Sequence, residues 1–527
     1  MENRYDTIVV GTGIGGLTAG LKLARQGYSV ALLEAARAFG GMLNPFARKK
    51  IHFDVGIHYL GQAGPGETLR TGLDELGLSE VRFREIDPEC IDRYVFRGYE
   101  ARLVKGIDRW GDLLVADFPR EEKNIRRFLE LMKRVDALMA GDSRGVSVKD
   151  VARALPFAGD LVRLLRLTFG ELLRRSFSEP LLVSVFGGCG GDIGLPPGRL
   201  SALAGVVLLN YFLGGAYYPV GGSGAIRDAY VRALTGLGAT LERSQRVERI
   251  ARRGDGLFEV LTHRGDLFVG RSVVSNVDVT DTLGLLSGLR ASRRTRRKAP
   301  RLRPSLSAFC VFLATDLDLT RYGITDANIW HYDNPDIDAV YEQVYRGELP
   351  DPPAFFLTAP TLKDPDAGRA PPGVHTLELI TMAVPEPYKP WFDSRSMRRG
   401  AAYEDAKERI AERLIAEVER YVPELSRHLL HKESATPATV WHFVRGREAG
   451  IYGPEHSPDQ YGLRRFLPGI GIPGLYLAGA SVFGGGVSPC FKSGQLAADY
   501  AAKYLRRRRP VRLAVRRPAA RFRGSEG

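Results

Sequence analysis

Thr7-Ile8-Val9-Val10-Gly11-Thr12-Gly13-Ile14-Gly15-Gly16 is the stretch that decides the fold. Thr7–Val10 is β-branched and reads as a short buried strand. Leu17, Gly20, Leu21 and Ala24 then recur at helical spacing, and Gly27 ends that helix. Ser29-Val30-Ala31-Leu32-Leu33 reads as a second strand that finishes at Glu34. Each part has a physical task. Gly11 permits the tight turn, Gly13 lets a pyrophosphate approach the backbone, and Gly16 lets helix and strand pack closely. The helix N-terminus offers unpaired N–H groups and a partial positive charge to phosphates. Glu34 is placed to accept ribose hydroxyls, and its carboxylate disfavours a 2′-phosphate. A lone GxGxxG can be a chance glycine-rich turn. Strand, helix, second strand and terminal acid in register make this one a dinucleotide site.

Working outward, the 527 residues are 44% hydrophobic and 26% charged, which excludes a disordered chain, a fibre and a coiled coil. The length allows two to four domains at roughly 100–200 residues each. Four cysteines, Cys90, Cys189, Cys310 and Cys490, lie far apart and give neither a disulfide framework nor paired metal spacing. No metal is expected. The net charge is +14, but residues 503–527 carry +9 of it, with ten basic side chains against Glu526. That tail reads either as a solvated end or as a segment attracted to anionic lipid. No nucleic-acid module accompanies it, so no nucleic-acid partner is expected. No signal peptide precedes Thr7, which points to the cytoplasm. Leu200–Ile226 is uncharged, yet Asn210, three tyrosines, Pro219 and a glycine cluster leave its apolar run too short to span a bilayer.

Further segments complete the pattern. Gly40-Gly41 follows six residues after Glu34. His52-Phe53-Asp54-Val55-Gly56-Ile57-His58-Tyr59-Leu60-Gly61 comes next. Asn210 to Gly222 reads Asn-Tyr-Phe-Leu-Gly-Gly-Ala-Tyr-Tyr-Pro-Val-Gly-Gly. Val273-Val274-Ser275-Asn276, Tyr452-Gly453, His456 and Leu475-Tyr476-Leu477-Ala478-Gly479 follow in order. Together these resemble the FAD-dependent superfamily of phytoene desaturases, carotenoid isomerases and retinol saturases, with the motifs nearest to retinol saturase-like proteins. The resemblance runs from residue 5 to about 505. Met42 stands where many members carry Arg, which argues against the amine oxidase branch. Ala480 stands where many relatives carry an acid.

The fold class is therefore α/β: a discontinuous Rossmann-like FAD-binding domain of the glutathione-reductase and amine-oxidase type, with an α+β substrate domain built from two insertions. The expected division is 1–85, 218–300 and 440–505 for FAD, 86–217 and 301–439 for substrate, and 506–527 as a basic tail. Ser307–Ala314, Phe355–Thr358 and Thr376–Ala383 read as strands, Ala402–Val422 as a charged helix, and Ser488 as the N-cap of the last helix. The resemblance implies noncovalent FAD. Its expected contacts are Gly11, Thr12, Gly13, Ile14, Gly15, Gly16, Glu34, Ala35, Gly40, Gly41 and Met42. Val247 is expected beside the adenine, and Gly479, Ala480, Gly486 and Val487 beside the flavin.

The resemblance also implies oxidoreductase chemistry on carbon–carbon bonds of a polyene or related lipid, by saturation, desaturation or isomerisation. An external electron donor or acceptor would serve the first two. His58 is the candidate proton relay; the alternative is a histidine that only positions its loop. The other function classes are a non-catalytic flavin-binding lipid carrier or assembly protein, and a flavin amine oxidase. Leu161–Leu167, Leu172–Arg175 and Phe177 mix apolar and basic residues. They suit either a membrane interface or a core helix with solvated arginines.

Overall fold

The computed structural model describes residues 3–139, 158–392 and 397–507. Two seven-stranded sheets organise them. In the first, Asn3–Val10 lies at the centre with Val30–Leu33 and then Thr240–Glu242 parallel on one side. Leu267–Ser275 lies parallel on the other side. This long strand has two partners on its far edge. Phe258–Thr262 pairs antiparallel with its first half, and Leu475–Leu477 pairs parallel with Val273–Ser275. Phe258–Thr262 and Leu267–Ser275 thus form a hairpin whose second arm continues into the heart of the parallel sheet. Phe268, Val269, Val273 and Val274 are all buried, as a strand covered on both faces requires.

Helices Ile14–Arg25 and Val487–Arg507 pack together against this sheet. Small residues make the approach possible. A Cβ on Gly494 would lie 2.3 Å from the Gly15 carbonyl oxygen, and Ala497, Ala498, Ala501 and Ala502 are buried beside it. The last helix begins at Val487, so Ser488 sits in its first turn and is not the N-cap expected from sequence. Its hydroxyl lies 3.3 Å from that of Tyr211 instead.

The second sheet runs in the order Leu429–Ala435, Ser307–Thr315, His375–Ala383, Phe355–Thr358, Asn328–His331, Asp92–Phe96, Tyr99–Leu103. All pairs are antiparallel except Asn328–His331 with Asp92–Phe96. The charged helix is Ala401–Val418, shorter than expected because Pro423 disfavours helical backbone just before it. Ala202–Leu213 forms the buried uncharged helix. No helix among the described residues is long and apolar enough to cross a membrane. Phe169–Ser176 buries Leu172 and Leu173 in the core while Arg174 pairs with Asp338 at 3.1 Å, so this part of the mixed apolar and basic stretch is a core helix. The tail beyond residue 507 lies outside the described residues.

Candidate active site

Strand register gathers the site. Val10 is level with Leu33 on one side and Ser275 on the other, and Ser275 is level with Leu477. The loops that follow these four residues therefore emerge in one row at the carboxyl edge of the sheet, the place where open α/β sheets bind ligands. They carry Gly11–Gly16, Glu34, Asn276 and Gly479.

Gly11 has φ +86° and turns the chain into the first helix. No side chain caps that helix at Gly13 and its first turn holds no acid, so its leading N–H groups are left for an anion. A Cβ on Gly16 would lie 2.1 Å from the Gly11 carbonyl oxygen; no other residue closes this turn. Glu34 organises the neighbouring loop. Its Oε2 accepts the Thr12 N–H at 2.9 Å and the Thr12 hydroxyl at 2.5 Å, and its Oε1 accepts the Ala36 N–H at 2.9 Å. Thr12 Oγ1 also accepts the Gly40 N–H at 3.1 Å. Gly40 and Gly41 have φ of +113° and +57°, and a Cβ on Gly41 would sit 3.4 Å from Gly13 Cα. The glycine pair thus passes directly beneath the fingerprint loop. Met42 packs on Gly56, and Ala35 is exposed at the rim. Val247 is buried just beyond Gln245, whose N–H donates to the Glu34 carbonyl at 2.7 Å. Gly479 (φ +81°) donates its N–H to Ser493 Oγ at 2.7 Å. Ala480 packs against Gly453, and Gly486 (φ +96°) leads into Val487 at the helix start. The uncapped helix, the glycine cradle and the acid fit a dinucleotide.

Asn276 has a role that sequence reading missed. Its side chain stands between the two halves of the site, where a Cβ on Gly13 would meet Nδ2 at 2.8 Å. On Gly15 or Gly479 a Cβ would meet Oδ1 at 2.5 and 2.7 Å. That Oδ1 is buried without a partner. Its position directly after the strand Leu267–Ser275 was the available signal.

A second group of polar side chains lies between the second sheet and the last flavin-side segment. His58 Nδ1 lies 3.0 Å from Glu378 Oε2, and Glu378 also accepts the Asp54 N–H at 2.8 Å. Burial raises the Glu378 pKa, with the His58 contact opposing it. Tyr59 donates toward two carboxylates, Asp192 at 2.7 Å and Asp92 at 3.1 Å, while its ring stacks on Phe212 at 4.2 Å. Asn328 donates to Asp92 at 2.8 Å, and Lys363 donates to Asn328 and to the His58 carbonyl. Burial pushes the Asp92 carboxyl up to about 6 and brings the Lys363 ammonium down to about 8. Asp192 is raised well above the usual carboxylate range, first by burial and then by the charge of Asp92. Burial thus favours its neutral form, although the side chain keeps some accessible surface.

This group abuts the flavin-side segment directly. A Cβ on Gly485 would lie 2.7 Å from Tyr452 Cα, and a Cβ on Gly194, two residues after Asp192, would lie 3.3 Å from the Tyr452 ring. His456 presses its Nε2 against Gly484, and burial holds its imidazole well below the usual histidine pKa. Cys490 rests its Sγ 3.5 Å from the Gly484 carbonyl, and burial pushes its thiol up to about 12, which makes it a packed thiol. Cys189 is fully buried in the turn Gly188–Ile193.

A Rossmann-like sheet with this fingerprint defines a dinucleotide-dependent oxidoreductase of the flavoprotein class. Residues 14–502 match the family described as flavin containing amine oxidoreductase, and the chain belongs to it. It is thus a flavoenzyme, and its dinucleotide is FAD. Two zebrafish (Danio rerio) proteins are similar over most of their length. An all-trans-retinol 13,14-reductase is 26% identical, covering 90% of this chain and 82% of its own. An inactive all-trans-retinol 13,14-reductase is 25% identical, covering 95% and 86%. Prolycopene isomerase 2 from an Oncidium hybrid cultivar is 27% identical, covering 91% and 81%. Among solved structures, an oxidoreductase from Methanosarcina mazei superposes with a TM-score of 0.65 at 17% identity, covering 94% of this chain and all of its own. That likeness concerns the fold.

Proposed function

We propose that this chain uses its FAD to change the saturation or double-bond geometry of a hydrophobic polyene or related lipid. The observation that carries the reading is the aromatic cluster of Tyr59, Phe212 and Phe356 beside Asp192, whose burial favours the neutral carboxyl, joined through Tyr452 to the segment Gly484–Ser488. An apolar polyene needs such a cluster, and hydride chemistry at carbon needs a proton partner. The named activities of the retinol reductase and prolycopene isomerase relatives support the same class. When bound, the flavin supplies hydride transfer. In this reading Gly11–Gly16, Glu34, Gly40–Met42 and Val247 hold the nucleotide, and Gly479, Ala480, Gly486 and Val487 border the flavin. Asp192 holds the transferable proton, Tyr59 connects it to Asp92, and His58 is a second relay oriented by Glu378. An external electron donor or acceptor completes any net reduction or oxidation.

The division into a flavin part (1–85, 218–300, 440–505) and a substrate part (86–217, 301–439) is proposed on the same footing. The strands of the first sheet fall in the former and those of the second sheet in the latter, which supports it. We further propose that the protein works in the cytoplasm at a membrane surface, where a polyene is dissolved.

Lipid mass spectrometry on polyene-producing cells with and without the protein tests the chemistry. A product two mass units heavier than its precursor means saturation, one two units lighter means desaturation, and an isobaric product with changed retention means isomerisation. No lipid change, with flavin that stays oxidised, would replace this reading with a non-catalytic flavoprotein. Turnover of amines would replace it with an amine oxidase.

A further inference from the structure

Leu463 is the most exposed large apolar side chain among the described residues at 81%, and Leu467 is 60% exposed. They flank a segment anchored on both sides. Arg464 donates to the Leu165 carbonyl at 3.1 Å, which ties it to helix Ala158–Arg166, where Val162 is 48% exposed. Lys298 donates to the Arg465 carbonyl at 3.1 Å and lies 4.4 Å over the Phe466 ring. Lys298 ends the helix Arg293–Lys298. Arg293, Arg294, Arg297 and Arg301 are all exposed and line, with Lys298, a cleft of about 620 Å³. None of these four arginines has an ion-pair partner among the described residues. The carboxylate at the cleft edge, Asp459, is already taken by Arg303 at 2.7 Å. Burial, then the charges of Arg294 and Arg465, lower the Lys298 pKa, as expected where cations gather without an anion.

We propose that Val162, Leu463, Leu467 and the arginines of residues 293–301 form a docking face for an anionic lipid bilayer. The leucines enter the interfacial layer and the guanidiniums take lipid phosphates. The leucines decide between partners. A nucleic acid backbone would engage the arginines alone and leave two projecting leucines in water. The folded body carries this face, so docking does not require the basic tail.

The face also lies close to the interior. Gly462 meets the side chains of Leu165 and Leu203, and Tyr461 packs 5.2 Å from His456, the residue beneath Gly484. Packed side chains thus join this face to the flavin-side loop. The purpose of docking rests on the polyene reading above; the binding itself does not.

The test uses full-length holoprotein and sedimentation with phosphatidylcholine vesicles, with and without phosphatidylglycerol. Each arginine neutralised near such a surface lowers partitioning about fivefold, so R294Q/R297Q binds roughly 25-fold more weakly. L463S/L467S loses binding to the same vesicles, and both variants keep their flavin absorbance. Undiminished vesicle binding in both variants overturns the proposal. So does a leucine pair without effect combined with full displacement by inorganic phosphate or duplex DNA, since that describes an anion site. Turnover of a detergent-dissolved polyene, measured in parallel, stays intact in both variants. Its absence in the wild type would sink the chemical reading while leaving the docking result standing.

Discussion

Replacing Asp192 with Asn tests whether a neutral acid supplies the proton. Asn matches the protonated carboxyl in size and still accepts the Tyr59 hydroxyl at the position now 2.7 Å away. What it loses is the transferable proton. Positioned acids contribute about 10²–10⁴-fold, so turnover falls by that factor with flavin content unchanged. Stability gives an independent readout. In the unfolded chain the carboxyl titrates near about 3.9. In the folded protein its pKa is raised, chiefly by burial. Between the two points the folded state holds a proton that the unfolded chain has released. Wild-type stability therefore falls as pH rises, by about 1.4 kcal/mol per pH unit from this group. The Asn variant lacks that slope. Near pH 4 the two proteins are equally stable; above it the variant becomes progressively the more stable, until Asp192 ionises and the gap becomes constant. Denaturant unfolding of both proteins across this range, with excess FAD, measures the gap. Wild-type turnover in the variant, or a gap that stays flat with pH, would refute the assignment.

Three other changes probe the nucleotide end and the tail. Gly13→Val places a branched side chain where Asn276 Nδ2 already approaches within 2.8 Å of a Cβ, and flavin-free protein is expected; full yellow loading would remove Gly13 from the site. Thr12→Val keeps the volume but takes a partner from Glu34 and from the buried Gly40 N–H, an expected loss of about 1–3 kcal/mol that titration of apoprotein with FAD reads as roughly 5- to 150-fold weaker binding. Ending the chain before residue 508 leaves flavin binding intact, and absorbance at equal protein concentration checks it.

Much of the nucleotide end was legible because its signals are local. Strand, glycines, helix and Glu34 lie within 7–34, and each constrains the backbone where it stands. The strands Ser307–Thr315 and His375–Ala383 were legible for the same reason, the first through an apolar run and the second through apolar residues interrupted by Glu378. What escaped the sequence depends on juxtaposition. Asn276 matters because Val10, Ser275 and Leu477 end at one level, and no spacing along the chain encodes that register. Asp192 belongs to no motif along the chain and matters only because Tyr59 and Asp92 are brought against it from elsewhere. Ser488 had the chemistry of an N-cap, but the helix starts one residue earlier and spends the hydroxyl on Tyr211.

The pairing of Ile14–Arg25 with Val487–Arg507 bears on the order in which the protein can be made. The first helix is translated about 460 residues before the helix that covers Gly15. At about 5–20 residues per second, the nascent cradle waits roughly half a minute to a minute and a half for its lid. During that time the carboxyl half of Leu267–Ser275 has an open edge, since Leu475–Leu477 does not yet exist to pair with it. A complete cradle for the flavin therefore exists only once the later helix and strand have been made.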